Sequence, residues 1–211
     1  MLFDKVHTYY INLDKREDRN NHVLNELKKI GINNPERFKA VELLNGALGC
    51  SLSHLKCIEL AKKNNYEAVF ICEDDITFLD PELFLKQLTT VLECIRWDVI
   101  LVAGNNVLPY IPVSDCCIKV LNCQTTTGYI VRKSYYKTLI ENYKEGVQYL
   151  ISDPQNNNYK IDKHWFQLQR KDDWYLIIPL SVVQKEDYSD IEKKVTNFTE
   201  YMLNYNKCVQ R

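Results

Sequence analysis

Apolar positions in the first hundred residues fall alternately into short unbroken runs and into helical spacing. Residues 7–13 form a β-branched and aromatic run that stops at Asn12-Leu13-Asp14; Val23, Leu24, Leu27 and Ile30 then recur at helical intervals until Gly31. Residues 37–43 predict a short strand before Asn45-Gly46, and Leu52, Leu55, Ile58 and Ala61 a second amphipathic helix ending at Asn64-Asn65. The run 68–72 is apolar throughout, the pattern of a strand covered on both faces, and it ends abruptly in Glu73-Asp74-Asp75. A helix is predicted over 81–95, with Pro81 suited to its first turn, and 98–103 repeats the buried-strand pattern up to Gly104-Asn105-Asn106. Strands separated by helices of this length predict βαβ units and a largely parallel sheet over residues 1–104.

Beyond residue 104 the pattern is less regular. Residues 117–121 and 127–131 read as strands, 134–143 as a helix, 163–169 as a helical turn or two, and 175–183 as a last strand. Residues 153–160, with Pro154 and the run Asn156-Asn157-Asn158, predict a mobile loop. No internal repeat is present.

At 211 residues the chain is long enough for one domain with a sizeable core. The 27 basic and 28 acidic side chains leave a net charge of −1, which argues against a nucleic-acid partner, whose footprint would be basic. No apolar stretch approaches the roughly 20 residues of a membrane span. Asp4, Lys5 and His7 interrupt what would have to be the apolar core of a signal peptide, so a cytoplasmic location is expected. In that setting Cys50, Cys57, Cys72, Cys94, Cys116, Cys117, Cys123 and Cys208 are expected to be reduced thiols. None forms a C-x-x-C pair and none has a histidine at zinc-finger spacing, so a structural zinc site is not expected.

Glu73-Asp74-Asp75 carries the clearest chemistry. Three adjoining carboxylates at the end of a buried run repel one another unless something positive lies between them. In an extended chain Glu73 and Asp75 would point the same way, about 6–7 Å apart, where both can face one cation. Oxygen ligands favour Mg²⁺ or Mn²⁺, which bridge readily to a diphosphate, and strand carboxyl ends are where open α/β sheets bind ligands. The competing reading is a solvated acidic turn capping the next helix.

Four segments of this chain resemble glycosyltransferase family 25, the lipopolysaccharide and collagen sugar transferases. They are Tyr10-Ile11-Asn12-Leu13-Asp14-Lys15-Arg16-Glu17-Asp18-Arg19, Gly49-Cys50-Ser51-Leu52-Ser53-His54, Val69-Phe70-Ile71-Cys72-Glu73-Asp74-Asp75 and Thr126-Thr127-Gly128-Tyr129-Ile130-Val131. The resemblance implies a GT-A-like α/β fold with a Rossmann-type, mostly parallel central sheet flanked by helices and a less regular C-terminal part. One domain over 1–211 would comprise a nucleotide-sugar-binding half, 1–106, and an acceptor-side half, 107–211. A uridine diphosphate (UDP) sugar donor, a divalent metal, Mn²⁺ or Mg²⁺, a glycan or glycoprotein acceptor and inversion at the anomeric carbon are implied with it.

Carried onto this chain, the resemblance gives Glu73 and Asp75 as metal ligands and sets Asn12, Leu13 and Asp74 beside the nucleotide. Arg16 and Arg19 offer planar donor forks to phosphate or to the acidic cluster, although Arg19 equally fits a first-turn surface position. Ser51, Ser53 and His54 are expected at the start of the second helix, where free N–H groups suit an anion; a packed histidine is the alternative for His54. Gly128 would admit a sugar to the backbone or serve a bulge. Asp98, at the far end of its strand, is expected to be structural.

An inverting displacement needs a general base, and Asp162 in Lys160-Ile161-Asp162-Lys163-His164-Trp165 is the candidate, with an N-cap as its other reading and Trp165 as a face for a sugar. Asp187 and Asp190 resemble the segment after the family's last strand. No histidine follows His164 to complete the metal site, which leaves diphosphate, water or His164 itself. The rivals are a nucleotidyl- or phosphoryl-transferase, for which no G-x-x-x-x-G-K-[ST] loop is present, and a catalytically degenerate sugar- or partner-binding module on the same fold.

Overall fold

The computed structural model describes residues 6–191 and 193–208. The N-terminal charges at Asp4 and Lys5 therefore lie outside the described residues. Strand β1 (Val6–Asn12) carries the buried run Tyr9 to Ile11, and helix α1 (Glu17–Lys29) follows with Val23 and Leu27 inward. Glu17 and Asp18 in its first turn and Lys28 and Lys29 in its last oppose the helix dipole. Gly31, at φ +81°, takes the left-handed conformation that lets the chain leave the helix. Strand β2 (Glu36–Lys39) is shorter than predicted, because the chain turns away to begin α2 (Gly46–Lys63), whose Asn45 cap accepts the Leu48 N–H.

Next come β3 (Ala68–Glu73), the short β4 (Ile76–Phe78), and α3 (Pro81–Cys94), capped by Asp80 on the Leu83 N–H. Strands β5 (Val99–Leu101), β6 (Asn105–Asn106), β7 (Tyr110–Ser114), β8 (Cys117–Val120), β9 (Cys123–Gln124) and β10 (Gly128–Arg132) lead into α4 (Tyr136–Ser152). That helix runs well past the predicted 143, since Gly146, Val147 and Leu150 continue its buried face. Residues 153–160 are largely exposed and hold one 3₁₀ turn, Asn157–Tyr159. Helices α5 (Ile161–His164) and α6 (Phe166–Lys171) precede β11 (Trp174–Ile177).

The predicted last strand is broken. Pro179, which has no N–H to give a ladder, separates β11 from β12 (Val182–Gln184), and β12 pairs with β4 instead of the main sheet. A hairpin of β13 (Asp187–Ser189) and β14 (Lys194–Thr196) and a last helix α7 (Thr199–Leu203) follow.

The main sheet has eight strands in the order β2-β1-β3-β10-β5-β11-β8-β7. Pairs β2–β1, β1–β3 and β5–β11 are parallel and the rest antiparallel, so only β10 and β8 run against the other six. Strands β3 and β5 are not paired with each other, because β10 inserts antiparallel between them. Helix α2 packs on β1, β3 and α4, α1 on β1 and β4, and α3 on β11. Among the described residues no helix is long and apolar enough to cross a membrane. All eight cysteines are free thiols.

Candidate active site

The carboxyl ends of β1 and β3 and the start of antiparallel β10 meet at one edge of the sheet. A cavity of about 550 Å³ opens there, walled by Leu13, Arg16 and Arg19, by Glu73, Asp74 and Asp75, by Cys50, Ser53 and His54 of α2, and by Gln184 and Ser189 to Ile191. The extended chain stops at Glu73, and Asp74 and Asp75 form a turn into β4. The turn ends the strand at Glu73, so Glu73 and Asp75 take different hydrogen-bond partners while both line the cavity.

Asp74 accepts from Asn12 Nδ2 at 2.7 Å and from Arg19 Nη1 at 3.1 Å. Asp75 Oδ2 accepts from Arg19 Nη1 at 3.3 Å and Gln184 Nε2 at 3.4 Å, while its buried Oδ1 has no partner among the described residues. Burial and the neighbouring Glu73 charge push the Asp75 carboxyl up to about 8, against the pull of Arg19. Burial likewise raises Asp74, with Arg19 and Asn12 opposing.

Glu73 faces α2. Its Oε1 accepts from Thr126 Oγ1 at 2.6 Å and lies 3.2 Å from His54 Nε2 and 3.6 Å from Cys50 Sγ. His54 Nδ1 meets the Tyr129 hydroxyl at 2.9 Å, and Tyr143 donates to Tyr129 at 3.2 Å, so a buried chain of polar groups fixes the imidazole. Burial works to raise the Glu73 carboxyl, but the bonds from His54, Thr126 and Cys50 outweigh it and hold the group below its ordinary value.

Both arginine forks are filled from the C-terminal hairpin. Arg16 bonds Asp187 at 2.8 Å, Asp190 at 2.9 Å and Asp18 at 2.8 Å; Arg19 bonds Asp187 at 3.1 Å as well as the triplet. Each also donates to the Tyr188 carbonyl, so the hairpin is tied over the cavity mouth by charge-assisted bonds.

Residues 36–105 match the family model described as glycosyltransferase family 25 (LPS biosynthesis protein). Over 171 residues, 64% of the chain, the sequence is 26% identical to a "Glycosyltransferase 25 family member" of Aedes aegypti, and it spans 28% of that protein's length. Over these stretches the chain is similar to glycosyltransferase family 25 proteins. A solved structure, described as a glycosyltransferase involved in the glycosylation of the major capsid of PBCV-1, shares the fold at a TM-score of 0.53. That likeness has 11% identity and covers 98% of this chain and 94% of the other. The architecture of the chain is GT-A-like, as the resemblance in its sequence implies.

The structure brings Leu13, Arg16, Arg19, Ser53, His54, Glu73, Asp74 and Asp75 to one cavity. Asn12 does not border it: at 1% exposure it braces Asp74 on one side and accepts from Arg37 at 2.8 Å on the other. Ser53 and His54 serve differently from expectation, because α2 begins at Gly46 and residues 51–54 lie beyond its first turn, where backbone N–H groups are already bonded. Ser53 donates to the Gly49 carbonyl and accepts from the Val41 N–H, pinning the 40–46 segment. Gly128 faces Val102, Ile76 and Phe70 in the core, so its missing side chain makes room for packing, not for a sugar.

Asp162 stands on α5 outside the cavity lining, its Oδ2 accepting the Thr125 N–H at 3.2 Å. Burial raises its carboxyl and the Thr125 bond opposes that. Thr125 has φ +76°, a conformation β-branched residues avoid at a cost of about 1–3 kcal/mol, so Asp162 helps hold a strained loop whose next residue bonds Glu73. Trp165 is fully buried between Tyr129 and Trp174, with Nε1 on the Cys123 carbonyl, and offers no face to a ligand. His164 pairs with Glu145 at 3.0 Å and is absent from the cavity wall. Asp98 caps the Asp173 N–H at 3.2 Å, a structural task. Sequence reasoning missed Cys50, Thr126 and Gln184 as site residues; the first two lie inside family segments, whereas nothing in the sequence marks Gln184.

Proposed function

We propose that this chain transfers a sugar from a nucleotide carrier, a UDP-sugar by the family resemblance, to a hydroxyl of a glycan or glycoprotein, with inversion. The observation that carries the reading is Asp75, a buried carboxylate with one orphaned oxygen and a raised pKa, facing the cavity beside Glu73 and Asp74. Arg19 alone does not compensate three carboxylates, and oxygen donors of this kind fit a hard divalent cation such as Mn²⁺ or Mg²⁺. Glu73 and Asp75 would hold that ion, which would offset the charge developing on the leaving diphosphate.

In this reading Arg16 and Arg19 exchange some of their bonds to Asp187 and Asp190 for bonds to the donor phosphates, with Leu13 and the 40–46 segment beside the nucleoside. The acceptor oxygen bonds to the anomeric carbon as the bond from that carbon to the diphosphate oxygen breaks, and the acceptor proton passes to Asp162. The Asp162 carboxylate is suited to the task by its raised pKa.

The filled arginine forks favour a second reading, a non-catalytic module whose anion site is closed by its own hairpin. Melting temperature with UDP, with and without Mn²⁺, separates the two. At ligand near 100 times its dissociation constant the transferase reading expects a Mn²⁺-dependent rise of about 5–10 °C, and release of UDP from a UDP-sugar then follows. No rise with uridine, guanosine or cytidine diphosphate would leave the module.

A further inference from the structure

We propose that Cys50, His54 and Glu73 form a binding site for a thiophilic divalent cation, Zn²⁺ or Co²⁺, open to the cavity. The proposal rests on geometry; it shares Glu73 with the transferase reading, and its test reads the Cys50 thiolate, which that reading does not use. Cys50 Sγ, His54 Nε2 and Glu73 Oε1 all lie within 4.8 Å of one another. A tetrahedral zinc with bonds of about 2.3 Å to sulfur and about 2.0–2.2 Å to nitrogen and oxygen sets its N and O ligands roughly 3.3 Å apart, and its S and O ligands roughly 3.6 Å apart. The observed separations are 3.2 Å and 3.6 Å. Two of the three edges thus match without any movement.

The elements explain the convergence. Cys50 and His54, four apart on α2, share a helix face, and Glu73 reaches them from the end of β3. The third ligand comes from a separate strand, so no zinc-finger spacing marks the site in the sequence. The outer contacts are those a metal-bound histidine needs: Tyr129 at 2.9 Å from Nδ1 keeps Nε2 aimed at the cluster, and Thr126 anchors Glu73 at 2.6 Å. On binding, the Cys50 thiol gives its proton to solvent as the sulfur–metal bond forms, and His54 gives up the Nε2 proton that faces Glu73 and, as neutral imidazole, carries its N–H on Nδ1, directed at the Tyr129 oxygen. Thiolate and imidazole select Zn²⁺ or Co²⁺ over Mg²⁺ and Mn²⁺. All three residues border the cavity, leaving a fourth position for water or an anion.

The test is a Co²⁺ titration of the full chain carrying C94S and C208S, which removes the exposed thiols as rival ligands. One equivalent is expected to give a thiolate-to-cobalt charge-transfer band with tetrahedral visible bands, both abolished by Zn²⁺ and by C50S. Y129F should weaken binding about 10-fold or more while keeping the band. Absence of a thiolate band, or a band undiminished in C50S, would overturn the proposal. Should circular dichroism show C50S unfolded, E73Q decides: binding weakened about 10-fold supports the site and unchanged binding overturns it.

Discussion

Asp75→Asn isolates the consequence of placing a carboxyl with one unpartnered oxygen in the wall of the cavity. Burial and Glu73 push this carboxyl to about 8 in the folded protein, against 3.8 for an ordinary Asp. Between those values the folded chain holds a proton that the unfolded chain has released, so wild-type stability falls as pH rises, by about 1.4 kcal/mol per unit. The stabilising contribution is complete below the unfolded value and is lost as pH passes the folded one. Asparagine does not titrate, so the variant lacks this slope, and the groups that do not interact with Asp75 cancel in the difference. From about pH 5.5 to about pH 7.5 the variant should gain on wild type by about 3 kcal/mol, or roughly 6–12 °C in melting temperature for a chain of this size. Urea unfolding of both proteins in a metal chelator at the two pH values measures it. Parallel shifts, with a constant difference between the proteins, would refute the assignment of a protonated Asp75.

Three further outcomes follow from the same geometry. Asp162→Asn should lower kcat by about 10²–10⁴ with KM held, the signature of a lost base; a change confined to KM and melting temperature would leave Asp162 as the brace of the Thr125 turn. Gly49→Ala drives a methyl group into the Val41 carbonyl oxygen, a backbone atom that cannot swing aside, and should cost about 1–3 kcal/mol in urea unfolding; a neutral result would mean that the 40–46 segment yields. Arg16→Ala removes the bonds to Asp187, Asp190 and the Tyr188 carbonyl, so hydrogen exchange in β13 and β14 should quicken while β1 and β3 stay protected; unchanged exchange would show that the hairpin is held by other contacts.

The strands and helices up to residue 104 were legible because each answers to a local cause. The unbroken apolar run 68–72 fits a strand buried on both faces, Pro81 and Gly31 punctuate where their backbones dictate, and the carboxylates that end β3 mark a charged stretch. That several candidate residues border one cavity was legible in outline for the same reason, since residues at the ends of adjacent parallel strands lie close together. Later elements were harder. The 175–183 run looks like one strand, yet Pro179 and pairing with β4 divide it, and the hairpin after it has little apolar patterning to read.

What the sequence determined by itself is the presence of an α/β chain with an acidic triplet at a strand's carboxyl end and arginines after the first strand; its GT-A-like character is what the resemblance implied. Only the tertiary structure decided how those charges are shared. The turn at Asp74-Asp75 sends Glu73 to His54 and Cys50 and gives Asp74 and Asp75 to Arg19, and the hairpin from 187 onward fills the arginine forks. Long-range pairing causes this: Arg16 and Arg19 meet partners up to 174 positions away in sequence, and no local propensity encodes a contact made by the closure of the whole sheet.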